Sequence, residues 1–389
     1  MRGGAGAGLG EEDAFDRLVS GLDRLRERLR IAVIYNGDRT APGAVIRQGH
    51  NPRSEKSYKP VAEDIASGLR AAGFERVALL PDDLTLPDRL REEAIDLAWL
   101  NTAGIQGYDA IAHAPATMEL AGVPYVGHRP LLALTLDSKQ VFKREAQALG
   151  LPTPPFLVWD GVRGRFSTDD PVFAREFAGW DGGFVVKPVI GRASLNVIHV
   201  PERAGLPEAV ETVYRETLNQ VLVEAYMSGP EYCVAVSGPV VVREGAPERG
   251  AAPFAFSAVE RKLGPGEAIF TSMDLKPIDG GRAHALGPEH PDFAALIDLA
   301  RRVHDDLQIR CLVRLDVRAD HAGRLHILEA NPKPDLKRPD ARATSLVCLG
   351  LPQERMSYED LILSLLLDRL DHYLRNRPAV VRHIAELMA

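Results

Sequence analysis

The 389-residue chain has little cysteine, little net charge and no long apolar run. Its three cysteines, Cys233, Cys311 and Cys348, are scattered and odd in number. No CxxC or Cys/His spacing suggests zinc, and a reduced, cytoplasmic setting is the simplest reading. No stretch approaches the length needed to cross a bilayer, so no membrane partner is expected. The start, MRGGAGAGLGEED, lacks the apolar core of a secretory signal and the basic character of a transit peptide. Residues 1–13 read as a disordered tail. A formal net charge of −7 argues against a nucleic-acid partner, which usually calls for a basic face. There is no internal repeat. What is present is a soluble globular composition, in a chain too long for one ordinary core, so two or three domains are expected.

AFDRLVSGLDRLRERLR places Phe15, Leu18, Val19, Leu22, Leu25 and Leu29 at helical spacing. Its apolar face packs either on the chain's own body or on a second subunit. RIAVIYNG, RVALL, DLAWLN and VPYVG read as short strands with helices between them, which implies a parallel sheet. Its function-bearing ends are expected at Asn36-Gly37 and from Asn101 to Gly107. A first unit covers residues 14–134, a second 135–228 and a third 229–389.

In RLDVRADHAGRLHILEANPKPD, two strands flank His321-Ala322-Gly323. Symmetry about Ala322-Gly323 sets Asp316 opposite Glu329 and Arg314 opposite Asn331. Facing carboxylates repel, which a divalent cation would relieve; Asn331 offers a third oxygen. The bland alternative is a solvated hairpin, or pairing with arginines such as Arg318 and Arg324.

Lys187 ends the strand FVVK before a loop of small residues, a setting suited to phosphates. Lys139 and Lys143 lie one turn apart on a helix, with Lys143 better read as part of a solvated face. VLVEAYMSGPEY puts Glu224 at the end of an apolar strand and Glu231 after a break. A carboxylate and backbone amides at such an edge can receive an adenine amino group and ribose hydroxyls.

The ordered set Lys139, Lys187, Glu224, Glu231, Arg314, Asp316, Glu329 and Asn331 resembles the ATP-grasp superfamily. The phrases AGIQGYDAIAHAPATMELAGVPYVGH, DSKQVFKREAQALGLPTPPF, VVKP, VLVEAYMSGPEY, VRLDVRADHAGRLHILEAN and SYEDLILSLL look most like D-alanine–D-alanine ligases, from Arg30 onward. The resemblance implies an α/β chain with an N-terminal Rossmann-like (pre-ATP-grasp) domain, a small central α+β domain and a C-terminal α+β domain. It further implies ATP as cofactor, with two Mg²⁺ ions or Mn²⁺ in their place. Lys139 and Lys187 would hold phosphates, Glu224 the adenine hinge and Glu231 the ribose. Asp316, Glu329 and Asn331 would bind the metal, and Arg314 would stabilise the acyl oxyanion. VIGRASLN would be a mobile loop over the phosphates, with Ser194 in it. The partners would be a small carboxylic acid and an amine, with a homodimer common in the family.

The chain departs from the family where substrates are read. Ala193 stands at a serine position, and Asp335 replaces a glycine. Charged residues are inserted before Ser345, the expected contact for the second substrate's carboxylate. Glu55 is a candidate for the first substrate's amino group, and Arg261 or Lys262 for a further phosphate contact. These departures favour an amide ligase for other amino acids or peptides, in specialised metabolism. The alternatives are a non-catalytic ATP-binding regulator or scaffold, and a true D-alanine–D-alanine ligase.

Overall fold

The protein is described by a computed structural model covering residues 11–37, 57–105, 107, 109–191, 194–270, 281–340 and 344–389. Glu55 lies outside them. The N-terminal leucine pattern forms two helices, α1 (Glu11–Ser20) and α2 (Leu22–Arg28), where one was expected. The break falls at Gly21, where a Cβ would sit 2.6 Å from Met388 Cβ. Helix α1 also takes in Glu11 to Asp13, which the sequence assigns to the tail. Leu18, Leu22, Leu25 and Leu29 are buried among the chain's own C-terminal residues, so this face is covered without a second subunit.

Strand β1 (Arg30–Asn36), helix α3 (Lys59–Ala71), β2 (Arg76–Asp82), α4 (Leu86–Glu92), β3 (Leu97–Asn101), α5 (His113–Ala121) and β4 (Tyr125–Val126) follow in chain order. The four strands pair in parallel in the order β2-β1-β3-β4. Alternating strands and helices can satisfy both faces of such a sheet. At its C-terminal edge Asn36 Oδ1 accepts from Ala103 N–H (2.9 Å), and Asn36 Nδ2 donates to Gly104 O (2.8 Å). A strand-end asparagine expected to face a ligand thus holds the exit loop of β3.

Helices α6 (Pro130–Asp137) and α7 (Lys139–Ala148) lead to β5 (Phe156–Trp159), α8 (Pro171–Glu176), β6 (Phe184–Pro188), β7 (Ile198–Val200), α9 (Leu206–Thr217) and β8 (Val221–Ala225). Strands β5-β8-β6-β7 form an antiparallel sheet over a core that includes Phe166, Phe173, Phe177 and Phe184. Leu132, Leu136, Phe142 and Ala146 instead join the core of the next sheet.

That sheet comes from β9 (Glu231–Ser237), β10 (Val240–Arg243), β11 (Ala246–Arg249), β12 (Phe254–Arg261), β13 (Ala283–Ala285), α10 (Phe293–Asp306), β14 (Val313–Ala319) and β15 (Leu325–Asn331). Its order is β13-β12-β9-β14-β15, with β10-β11 as a separate hairpin. Helices α11 (Tyr358–Asn376) and α12 (Arg382–Leu387) close the chain. Ser357 and Asp360 form a reciprocal capping box at the start of α11. Leu361, Ile362, Leu365 and Leu366 on α11 share one core with Ile65 and Leu69 on α3, which joins the first and last units.

The β14–β15 register is Arg314 opposite Asn331 and Asp316 opposite Glu329, as the symmetry argument predicts. Towards the tip a bulge intervenes, and Val317 faces Ile327, leaving Leu328 extra. The bulge lets Ile327 point into the core although Glu329, two residues on, faces the cleft.

Candidate active site

Period-two alternation puts Val313, Leu315, Val317 and Ala319 into the core and Arg314, Asp316 and Arg318 on the other face. Cross-strand pairing extends this face into rows. Glu231 on β9 is flanked by Arg261 on β12 and Arg318 on β14, a plus–minus–plus row. The next row sets Asp316 between Cys233 and Glu329. The central sheet faces these rows with Lys187 and Glu224, and Lys139 reaches in from the start of α7. Tyr226, Met227, Ile269 and Phe270 give the cleft an apolar edge.

Every charge here has a partner. Arg314 donates from Nε to Asp316 Oδ1 (2.9 Å) and from Nη2 to Asp316 Oδ2 (3.2 Å). Arg261 Nη1 donates to Asp316 Oδ2 (3.0 Å), and its Nη2 lies 2.6 Å from Glu231 Oε1. Lys139 Nζ lies 3.3 Å from Glu329 Oε2. The carboxylate repulsion that the hairpin raises is therefore met by Arg261, Arg314 and Lys139. The arginines first considered work elsewhere: Arg318 contacts Glu231 at 3.3 Å, and Arg324 contacts Asp320 at 2.8 Å. Burial alone would push Asp316 up, but Arg261 and Arg314 hold it below the usual carboxylate range.

Lys143 is not on a solvated face. It is fully buried, 2.9 Å from Glu224 Oε2, and donates to Thr153 Oγ1 at 2.6 Å. Lys187 takes the other oxygen of Glu224 at 2.5 Å. Burial pushes Lys143 down to about 8, with Lys187 repelling it against the pull of Glu224. Lys187 is raised despite the same burial, because Glu224, Glu329 and Asp316 all act on it. Burial raises Glu224, and the two lysines outweigh that to leave it lowered. Its carboxylate thus cross-braces the floor, while Ala225, Tyr226 and Met227 present the hinge edge.

Of the remaining expected residues, Ser194 lines the cleft in a left-handed conformation, φ 55°. Arg261, the last residue of β12, points into the site, whereas Lys262, just past the strand's end, is exposed. Asn331 Oδ1 accepts from Lys333 N–H (3.1 Å). Ser345 is fully buried, and its Oγ accepts from Cys348 N–H (3.1 Å), so it braces a turn outside the cleft lining. The inserted charges divide. Lys333 lies 3.4 Å from the centre of the Tyr58 ring. Arg338 is spent on the scaffold, donating from its backbone to Asp64 (3.0 Å) and from its side chain to Glu359 (2.6 Å). Arg318, which the sequence reading passes over as a site residue, anchors the hinge. It donates to Tyr226 Oη (2.8 Å), Ala268 O (3.0 Å) and Gly229 O (3.2 Å). One more step of the same alternation, 314-316-318, would have found it.

Asp316, Glu329 and Asn331 supply two carboxylates and an amide oxygen on one face, a hard-oxygen set that fits Mg²⁺ better than a softer metal. The parallel-sheet unit, the two antiparallel sheets and the charged cleft between them form an ATP-grasp fold. Within that class the chain is similar to D-alanine–D-alanine ligases. The ligase of Pseudomonas entomophila is 29% identical over 358 residues, covering 91% of this chain and 97% of its own length. An uncharacterised protein of Sinorhizobium fredii is 29% identical over 336 residues, covering 83% and 93%. Among solved structures, D-alanine–D-alanine ligase from Bacillus anthracis complexed with ATP superposes with a TM-score of 0.64 at 17% identity, covering 88% of this chain and 98% of that one. VanG D-Ala:D-Ser ligase from Enterococcus faecalis gives 0.61 at 16%, covering 88% and 99%. No family model matches the chain.

Proposed function

We propose that the protein joins a carboxylic acid to an amine in an ATP-dependent reaction that passes through an acyl phosphate and releases ADP and phosphate. The observation that carries this reading is the facing pair Asp316 and Glu329 in a cleft that also holds Lys139 and Lys187, with Arg314 and Asn331 paired next to them on the hairpin, just beyond the cleft lining. A carboxylate is a poor electrophile, and transfer of the γ-phosphoryl group to it creates a leaving group. Mg²⁺ held by Asp316, Glu329 and Asn331 would supply charge neutralisation between the reacting anions. Lys139 and Lys187 orient the phosphates, and Glu231 receives the ribose. Attack by the amine then forms an oxyanion. Arg314 would stabilise it, and the reading is supported by its Nη1 making neither of the bonds to Asp316.

The substrate is the finer part of the proposal. Asp335 in place of a glycine, Lys333 over Tyr58 and the Arg338 clip make the amine side unlike that of the family. They support an amino acid or peptide other than D-alanine, joined in specialised metabolism. Three free, buried cysteines suit a cytoplasmic setting. Among the described residues no helix is long and apolar enough to cross a membrane. The test is ADP release from the purified chain with pooled acids and amines, the product identified by mass. Release that requires both an acid and an amine supports the reading. A D-alanyl-D-alanine product would return the chain to the housekeeping reaction, and ATP binding without turnover across the screen would leave a non-catalytic protein.

A further inference from the structure

A second cleft, of about 730 Å³, lies between the end of α5, the exit of β4, the segment joining α10 to β14, and α11. Its volume is typical of small-molecule sites. Arg129, Arg310, Arg369 and Arg377 line it against one carboxylate, Glu119, which accepts from Tyr125 Oη (2.9 Å). Arg369 forms the floor and is only 7% exposed. Its Nε donates to Tyr125 O (2.8 Å) and its Nη2 to Tyr373 Oη (2.9 Å), with the guanidinium 4.2 Å from the Tyr373 ring centre.

Among the described residues, no carboxylate lies within ion-pair distance of any of these four arginines. The acids beside Arg369 on α11 face elsewhere. Asp368 accepts from Val240 N–H (3.2 Å), and Asp371 pairs with Arg249 (3.1 Å) and Arg375 (2.7 Å). Burial, together with Arg369, Arg310 and Arg377, holds His372 down to about 4, which registers the positive field of the cleft. A buried guanidinium without a counter-charge is costly. It is the more telling in a chain whose net charge is −7.

We propose that this cleft binds a small organic polyanion, a molecule with two or more phosphate or carboxylate groups. Arg369 Nη1, unused by the bonds above, meets it at the floor, and Arg129, Arg310 and Arg377 close on it from the exposed rim. The guanidinium fork binds phosphate and carboxylate alike, and the bonds to Tyr125 O and Tyr373 Oη fix the orientation of the floor arginine. The site stands independently of the ligase reading.

The test is calorimetric titration of the full chain with pyrophosphate and, separately, with citrate at fixed ionic strength. It is run on the parent and on the double variant Arg310→Ser/Arg377→Ser, with titration of an ATP analogue as a control for the other cleft. At least one probe is expected to bind once per chain with Kd below about 1 mM, and at least tenfold more weakly in the double variant. Which probe binds separates phosphate from carboxylate chemistry. Two outcomes overturn the proposal: neither probe binds below that limit, or the double variant binds as the parent does, which would place the anion among Lys139 and Lys187.

Discussion

In the cleft between the antiparallel sheets, Lys143 and Lys187 share Glu224, Lys139 has Glu329, and Arg261 joins Glu231 to Asp316. In the cleft beside α11, Arg369 meets a carbonyl, a phenol and two rings among the described residues. The first region balances its charge internally, so a ligand there exchanges partners with groups already paired. The second offers charge that no carboxylate among the described residues pairs with. The N-terminal sheet holds the reverse case: Asp82 is buried with Thr102 as donor at 2.8 Å and no cation in ion-pair reach among the described residues, and burial pushes it up to about 6.

The sharpest way to break the comparison is Glu329→Gln. Losing one carboxylate from the proposed metal set should cut ADP formation about a thousandfold, on the order of 4 kcal/mol of transition-state stabilisation. Retained turnover would remove the metal assignment. Next, Glu224→Gln leaves two buried lysines without their shared acid and should cost about 3 kcal/mol in urea unfolding. An unchanged midpoint would mean that Lys143, Lys187 and Glu224 do not act as a unit. The wild-type contribution of Glu224 has a definite sign. Its folded pKa is lowered, so the unfolded chain binds more protons as pH falls below the ordinary carboxylate range. Stability is therefore present above that range and lost on acidification.

Asp82 runs the other way. Between 3.8 and about 6 the folded state binds more protons than the unfolded, so its contribution falls as pH rises through that window. Asp82→Asn should accordingly raise stability at pH 7 by about 2 kcal/mol, with the gain vanishing near the lower end of the window. A gain independent of pH would show that Asp82 ionises normally. The smallest effect belongs to Arg369→Met. The two lost hydrogen bonds cost about 1–2 kcal/mol, relief of the buried charge offsets part of that, and the net loss should be about 1 kcal/mol or less. A loss as large as that of Glu224→Gln would mean that Arg369 has a buried counter-charge after all.

Much of the first cleft was legible because strand periodicity converts sequence directly into geometry. Arg314, Asp316, Glu329 and Asn331 follow from parity and hairpin symmetry alone. Helical spacing tells which residues share a face but not what covers that face, so it does not reveal that Lys143 is buried. Here β15 and the Pro152-Thr153 segment leading into β5 bury it. Ser345 was placed by counting across an insertion, where chain position no longer tracks space. The pairing of Arg261 with Asp316 depends on β12 and β14 being second neighbours across β9, a long-range fact absent from any local pattern. The arginine cleft gathers side chains from positions 129 to 377, and nothing in their spacing draws them together.

The extra residue at Leu328 has a consequence for how this hairpin can change. It separates two halves of opposite parity: a tip that runs from Val317 to Ile327 and a base that carries the reactive groups. Residues added or removed at His321 to Gly323 change only the length of the tip. Removing Leu328 would leave Ile327 and Glu329 consecutive and still on opposite faces, whereas removing Ala330, in the regular stretch, would turn Glu329 or Asn331 towards the core. The hairpin is thus open to lengthening at its turn, as for a labelling tag, and to loss of its extra residue, and closed to a single deletion between Glu329 and Asn331.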